Sequence, residues 1–290
     1  MKTPNRSISE KLHDHFDSLT RAERQLANSL LENYPVSGLA SITRVAQKAG
    51  VSTPTVARMV QKLGFKGYPE FQAALRGELE AQISNPISKH DIWAEHAPQE
   101  HILNRFAEAV MQNVRRTLRQ IDPAEFDGAC GLLADPARRV YIVGGRITRA
   151  LADYLFTHLQ VAREGVTLVA SNSNAWPHYV LDMKAGDVLV IFDIRRYEHD
   201  LLRLAEMARA RGVEIVLFTD QWGSPASKCA THRFNARIVA PSAWDSNAVT
   251  MLLVETMVAC VQGHTWDSTK ERMSELEELF DRTKLFRKFI

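Results

Sequence analysis

Between Glu32 and Glu70 the chain carries no acidic residue, while Arg44, Lys48, Arg58, Lys62 and Lys66 all fall inside that interval. A field of one sign is what phosphate neutralisation needs, because each cationic contact with a nucleic-acid backbone releases condensed counterions. Ser52, Thr53 and Thr55 stand among these bases. Short hydroxyl side chains and a guanidinium are groups that reach base edges in a major groove. Thr53, Thr55 and Arg58 are therefore the expected base readers. Arg44, Lys48, Lys62 and Lys66 are the expected phosphate contacts, and Ser52 completes the DNA-binding set as a helix N-cap. The competing reading is a helical bundle with a solvated basic face.

Side chains can read DNA in this way only if two short helices cross tightly and present the second one outward. The crossing needs a small residue in the first helix, a residue free to take positive φ at the turn, and apolar residues where the second helix packs back. Ala46, Gly50 and the group Val51, Val56 and Met59 meet these needs in order. Helices are expected over 42–49 and 53–63, with Ser52 as N-cap and Pro54 in the first turn. Upstream, Thr20 and Glu23 have capping-box spacing ahead of a helix that ends near Pro35, and a fourth helix is expected over 69–83.

Beyond this unit the pattern changes. Residues 84–98, with Pro86 and Pro98, lack periodicity and read as a linker, followed by a connecting helix over 100–120. Apolar runs at 140–143, 166–170, 188–192 and 214–218 then alternate with helical stretches at 147–161, 198–211 and 246–262. Such alternation predicts a parallel sheet covered on both faces. The expected fold is an all-helical N-terminal domain (1–83), linker and connecting helix (84–121), a three-layer α/β/α sandwich (122–265) and a C-terminal amphipathic helix (266–290). That last helix has two possible docking places, its own domain or a partner subunit.

A length of 290 residues suits two domains, and a net charge of +2 argues neither for nor against nucleic acid. Three cysteines at long separations match neither a disulfide framework nor a metal knuckle, so a reducing, cytoplasmic setting is expected. No signal peptide or membrane span is expected, nor is any metal or cofactor: there is no HExxH, Cys/His cluster or Walker loop. Glu255 and the scattered His158, His178, His199 and His264 form no catalytic grouping.

The runs L-T-R-A-E-R-Q-L-A from Leu19 and A-Q-K-A-G-V-S-T-P-T-V-A-R-M-V-Q-K-L-G-F-K-G-Y from Ala46 resemble the RpiR/MurR family of bacterial transcriptional regulators. That resemblance implies a sugar isomerase (SIS) domain in the second half, binding of phosphorylated sugars, dimers or tetramers, inverted-repeat operators and no catalysis. Two alternatives remain open: an isomerase-type enzyme acting on sugar phosphates, and a regulator whose SIS domain only dimerises.

Compared with SIS domains, the loops here are altered. Where such domains carry a Gly-x-Gly-x-Ser turn after the first strand, this chain has Gly144, Gly145, Arg146, Ile147 and Thr148. Where they carry a Ser-x-Ser-Gly-x-Thr phosphate loop, it has Asp193, Ile194, Arg195, Arg196, Tyr197 and Glu198. Ser171 and Ser173 fall at positions that contact sugar in the family. Two arrangements fit. In one, Arg195 with Arg146 or Arg196 clamps an anionic metabolite, phosphosugar or carboxylate, through charge-assisted hydrogen bonds, with Asp193 and Glu198 orienting them. In the other, Asp193, Arg195 and Glu198 form an internal ion-pair network.

Overall fold

The computed structural model describes residues 6–83 and 101–284, and the expected linker at 84–98 lies outside them. These residues form two compact units, one helical and one α/β.

The helical unit contains α1 (Ile8–His15), α2 (Arg21–Leu31), α3 (Ile42–Lys48), α4 (Thr53–Lys62) and α5 (Tyr68–Ile83). Both α1 and α2 begin with a capping box, Ser7 with Glu10 and Thr20 with Glu23, which satisfies amide groups that have no partner in a first helical turn. Leu26, Leu30, Ala46, Val56, Met59, Leu63, Phe71 and Leu75 fill the core. The K-L-G-F-K-G-Y run turns the chain from α4 into α5. Leu63 and Phe65 are buried, and the Tyr68 hydroxyl lies 3.0 and 2.8 Å from the carbonyl oxygens of Gly38 and Ala40.

The second unit contains α6 (Ile102–Leu118), α7 (Pro123–Ala134), α8 (Arg149–Ala162), α9 (Trp176–Asp182), α10 (His199–Ala210), α11 (Ala248–His264) and α12 (Trp266–Thr283). Its strands are β1 (Val140–Gly144), β2 (Val166–Leu168), β3 (Val188–Phe192), β4 (Glu214–Asp220) and β5 (His232–Ala236), all parallel, in the order β2-β1-β3-β4-β5. Alternate strand residues serve opposite faces. Val140, Ile142, Val190, Phe192 and Phe218 pack with α7, α8 and α11, while Tyr141, Val143, Leu189, Ile191 and Leu217 pack with α9 and α10. This is the expected three-layer sandwich. The fifth strand, His-Arg-Phe-Asn-Ala, escapes a search for apolar runs because it is an edge strand whose polar residues alternate with Phe234 and Ala236.

Helix α6, expected as a connector, is part of this unit. Asn113 Nδ2 donates to the Val239 carbonyl at 2.8 Å, and the Arg237 amide donates to Thr117 Oγ1 at 3.0 Å. Helix α12 docks on its own unit through Thr269 Oγ1 to the Ala162 carbonyl and Arg272 Nε to the Gln160 carbonyl, at 3.1 and 2.8 Å. The remainder of the expected tail, 285–290, lies outside the described residues. Among the described residues, no single helix is long and apolar enough to cross a membrane.

Candidate nucleic-acid interface and effector site

Helices α3 and α4 meet at the expected turn. Gly50 has φ of +64°, and a Cβ placed there would lie 3.1 Å from Gln25 Nε2, which itself donates to the Ala49 carbonyl at 2.9 Å. Ser52 caps α4 by accepting the Thr55 amide at 3.4 Å. Ala46, Val56 and Met59 are buried and Val51 packs against the same core.

The outward face of α4 differs from expectation at Thr55 and Lys62. Thr55 is only 7% exposed and its hydroxyl sits 2.9 Å from Ser52 Oγ, so it belongs to the cap rather than to a reading surface. Position three of a helix rolls inward here because Val56 and Met59 must face the core. Lys62 Nζ lies 2.7 Å from Glu23 Oε2, with the Glu23 side chain 4% exposed and that of Lys62 41% exposed. Burial pushes the Glu23 carboxyl up, but hydrogen bonds from Lys62 and from Thr20 outweigh it and leave the group below its ordinary value. Lys62 is therefore engaged as the counter-charge of the α2 cap.

Arg44, Lys48, Ser52, Arg58 and Lys66 are exposed and Thr53 is half-buried. Two further exposed α4 residues, Pro54 and Gln61, share the face of Arg58. Their spacing relative to Val56, Met59 and Val60 is the signal that locates them, and a glutamine is a natural partner for adenine.

In the second unit the strand order reverses between β1 and β3, and open parallel sheets bind ligands in the crevice beyond the carboxyl ends of strands at such a point. The loops after β1 and β3 are the two altered loops. They are tied together: the Gly145 amide reaches the Phe192 carbonyl at 3.3 Å, Thr148 Oγ1 donates to that same carbonyl at 2.7 Å, and the Arg146 amide donates to Glu198 Oε1 at 2.7 Å. A Cβ on Gly145 would lie 2.6 Å from Glu198 Oε1, so only glycine allows this approach. Thr148 is buried with its hydroxyl committed, and a Cβ on Gly144 would meet the Thr148 carbonyl at 2.6 Å. Both residues shape the turn.

Arg195 is held internally. Its guanidinium pairs with Asp245 at 3.0 Å, lies 4.6 Å over the Trp222 ring and is 8% exposed, while its amide donates to Asp220 Oδ2 at 2.8 Å. The internal network thus forms, but with Asp245 and Asp220 instead of Asp193 and Glu198. Asp220 is fully buried and also accepts from Tyr197 Oη at 2.8 Å and the Trp222 amide at 2.9 Å. Burial pushes its carboxyl up, opposed by these donors and by the Arg195 charge. Asp193 accepts the Glu198 amide at 3.2 Å and the Ser224 hydroxyl, and burial pushes its carboxyl up to about 6.

Arg196, at φ of +61°, keeps a left-handed backbone where the resembled loop has glycine. Arg146 and Arg196 are exposed beside the crevice. Ser171 is exposed and Ser173 half-buried in the segment after β2, one strand further out. Among the described residues no hydrogen bond joins them to the crevice loops, and no cluster of His, Cys, Asp and Glu is placed to hold a metal ion.

Residues 6–82 match the helix-turn-helix domain, rpiR family, and residues 133–261 match the SIS domain. The transcriptional regulator HexR of Pseudomonas aeruginosa is 25% identical over 234 residues, covering 78% of this chain and 77% of that protein. GlvR of Bacillus subtilis, also a transcriptional regulator, is 20% identical over 79% of this chain and 83% of its own length. Among solved structures, the Vibrio vulnificus NanR protein complexed with ManNAc-6P is similar in fold over 97% of this chain and 99% of that one, with a TM-score of 0.57 and 18% identity.

Proposed function

The chain belongs to the RpiR family of helix-turn-helix transcriptional regulators with an SIS domain, and we propose that it is a repressor of a catabolic operon, released by a small anionic metabolite. The observation that carries the DNA half of this reading is the capped α4 helix. It turns Thr53, Arg58 and Gln61 outward within a segment free of acidic residues from 33 to 69. In this reading Arg44, Lys48 and Lys66 hold phosphates while the α4 face enters the major groove.

The protein works as a cytoplasmic homodimer or homotetramer on double-stranded operator DNA. A ligand then acts by favouring one spacing of the two reading helices over another, since only differential affinity for two states shifts an equilibrium. The exposed guanidinium groups of Arg146 and Arg196 at the switch point are the contacts proposed for the anion, with Ser171 and Ser173 as further polar contacts. The likeness in fold to the NanR protein complexed with ManNAc-6P supports small-molecule control. The proposed role involves no catalysis.

The test begins by selecting an operator from random duplexes with the purified full-length chain. An inverted repeat is expected, and Arg58→Ala should weaken its binding by about 1–3 kcal/mol and relax one base position. Absence of salt-dependent DNA binding, or turnover of sugar phosphates by the purified protein, would refute the reading. Arg146→Ala with Arg196→Ala should leave DNA binding intact and abolish release by the inducing metabolite.

A further inference from the structure

We propose that Asp193 and Glu198 make the switch-point crevice self-ligated and thereby exclude phosphate esters from it. This narrows the effector reading above, on which it rests, by removing phosphate from the anions that the crevice loops accept.

A phosphoryl group held in such a crevice depends on amide and hydroxyl donors converging from the loops and from the start of the following helix. Here those donors already hold the chain's own carboxylates. The Arg146 amide serves Glu198 at 2.7 Å, and the Glu198 amide serves Asp193 at 3.2 Å. The Ser224 hydroxyl serves Asp193, while the Arg195 amide, the Trp222 amide and the Tyr197 hydroxyl serve Asp220 at 2.8, 2.9 and 2.8 Å.

Space and charge act in the same direction. The Glu198 carboxylate lies against Gly145, closing the gap between the two loops. Asp193 is 2% exposed and Asp220 fully buried, so their charges are poorly screened, and a phosphate dianion is repelled about twice as strongly as a singly charged carboxylate where a phosphate site offers donors. The left-handed Arg196 keeps the loop in the path that brings Asp193 back onto the Glu198 amide. Asp193 and Glu198 are specificity-determining residues in this sense: they select by occupying the donors.

The deciding experiment follows hydrogen–deuterium exchange of peptides covering 144–149 and 193–200 in the full-length protein, with inorganic phosphate and with glucose 6-phosphate at millimolar levels. The wild-type chain is expected to show no protection. Asp193→Ser combined with Glu198→Thr should gain phosphate binding by roughly tenfold or more, with protection confined to those peptides. Asp193→Ala with Glu198→Ala, which frees the same amide donors and removes both charges, carries the same direction of effect should the first variant fail to fold. Saturable protection of the wild-type loops by phosphate overturns the proposal, and so does a folded charge-free variant that remains blind to it. Neither result touches the Arg146 and Arg196 test, which reads release of DNA by the inducing metabolite.

Discussion

Replacing Lys62 by Met separates two roles that the side chain cannot play at once. In the structure Nζ is 2.7 Å from Glu23 Oε2, which also accepts the Thr20 amide at 2.8 Å, and the Glu23 side chain is 4% exposed. A hydrogen bond to a charged group contributes about 1.5–3 kcal/mol. Because the Lys62 side chain is 41% exposed, solvent screening reduces this to about 1–2 kcal/mol. Hydrogen exchange of α2 and α4 amides in the full chain reads the loss as faster local opening, and it avoids treating a two-unit protein as one transition. Glu23→Gln should lose a similar amount, and the double variant should cost less than the sum because the two residues form one interaction. Binding to random duplex DNA gives the second readout. A phosphate contact contributes about 0.9 to the slope of log affinity against log salt. The structure predicts an unchanged slope for Lys62→Met, in contrast to Arg44→Ala. A slope lower by about one, with α2 and α4 exchange unaltered, would refute the assignment and restore Lys62 to the phosphate contacts.

Gly50→Ala should destabilise the helical unit by about 2 kcal/mol, since a side chain in the left-handed region costs about 1–2 kcal/mol and the new Cβ also crowds Gln25; wild-type exchange rates in α3 and α4 would contradict this. Asp193 has its carboxyl raised from 3.8 to about 6, so between those values the folded state keeps a proton that the unfolded chain has lost. Stability from this group is therefore fully present below about pH 4 and declines as pH rises to about 6, by ~3 kcal/mol at most. Asp193→Asn should flatten that part of the stability profile, measured by denaturant titration between those pH values, and an unchanged profile would remove the assignment.

Much of the reading unit could be deduced from local order. Ser52, Gly50, Ala46 and the Val56 and Met59 pair act within a few residues of one another, where spacing alone sets the cap, the turn and the buried face. Thr55 was legible only in part: its number in the helix placed it beside Thr53, but the tilt imposed by the core turned it under Ser52. Lys62 looked like one more base in a basic stretch because Glu23 stands 39 residues earlier. The same holds in the α/β unit. Strand runs and the altered loops could be read directly, whereas the partner of Arg195 is Asp245, 50 residues on, beyond α10 and the strands β4 and β5.

What the sequence alone determined is the set of elements, the family resemblance and the position of the two unusual loops, because helix and strand periodicity, caps and turns are short-range properties. Which charges are available to a ligand was decided only by tertiary structure. The order β2-β1-β3-β4-β5 brings the loops after β1 and β3 together and folds the 220 and 245 segments against the latter. A carboxylate or guanidinium shows its chemistry in the sequence. Whether it faces solvent or another charge depends on neighbours that only chain crossing supplies.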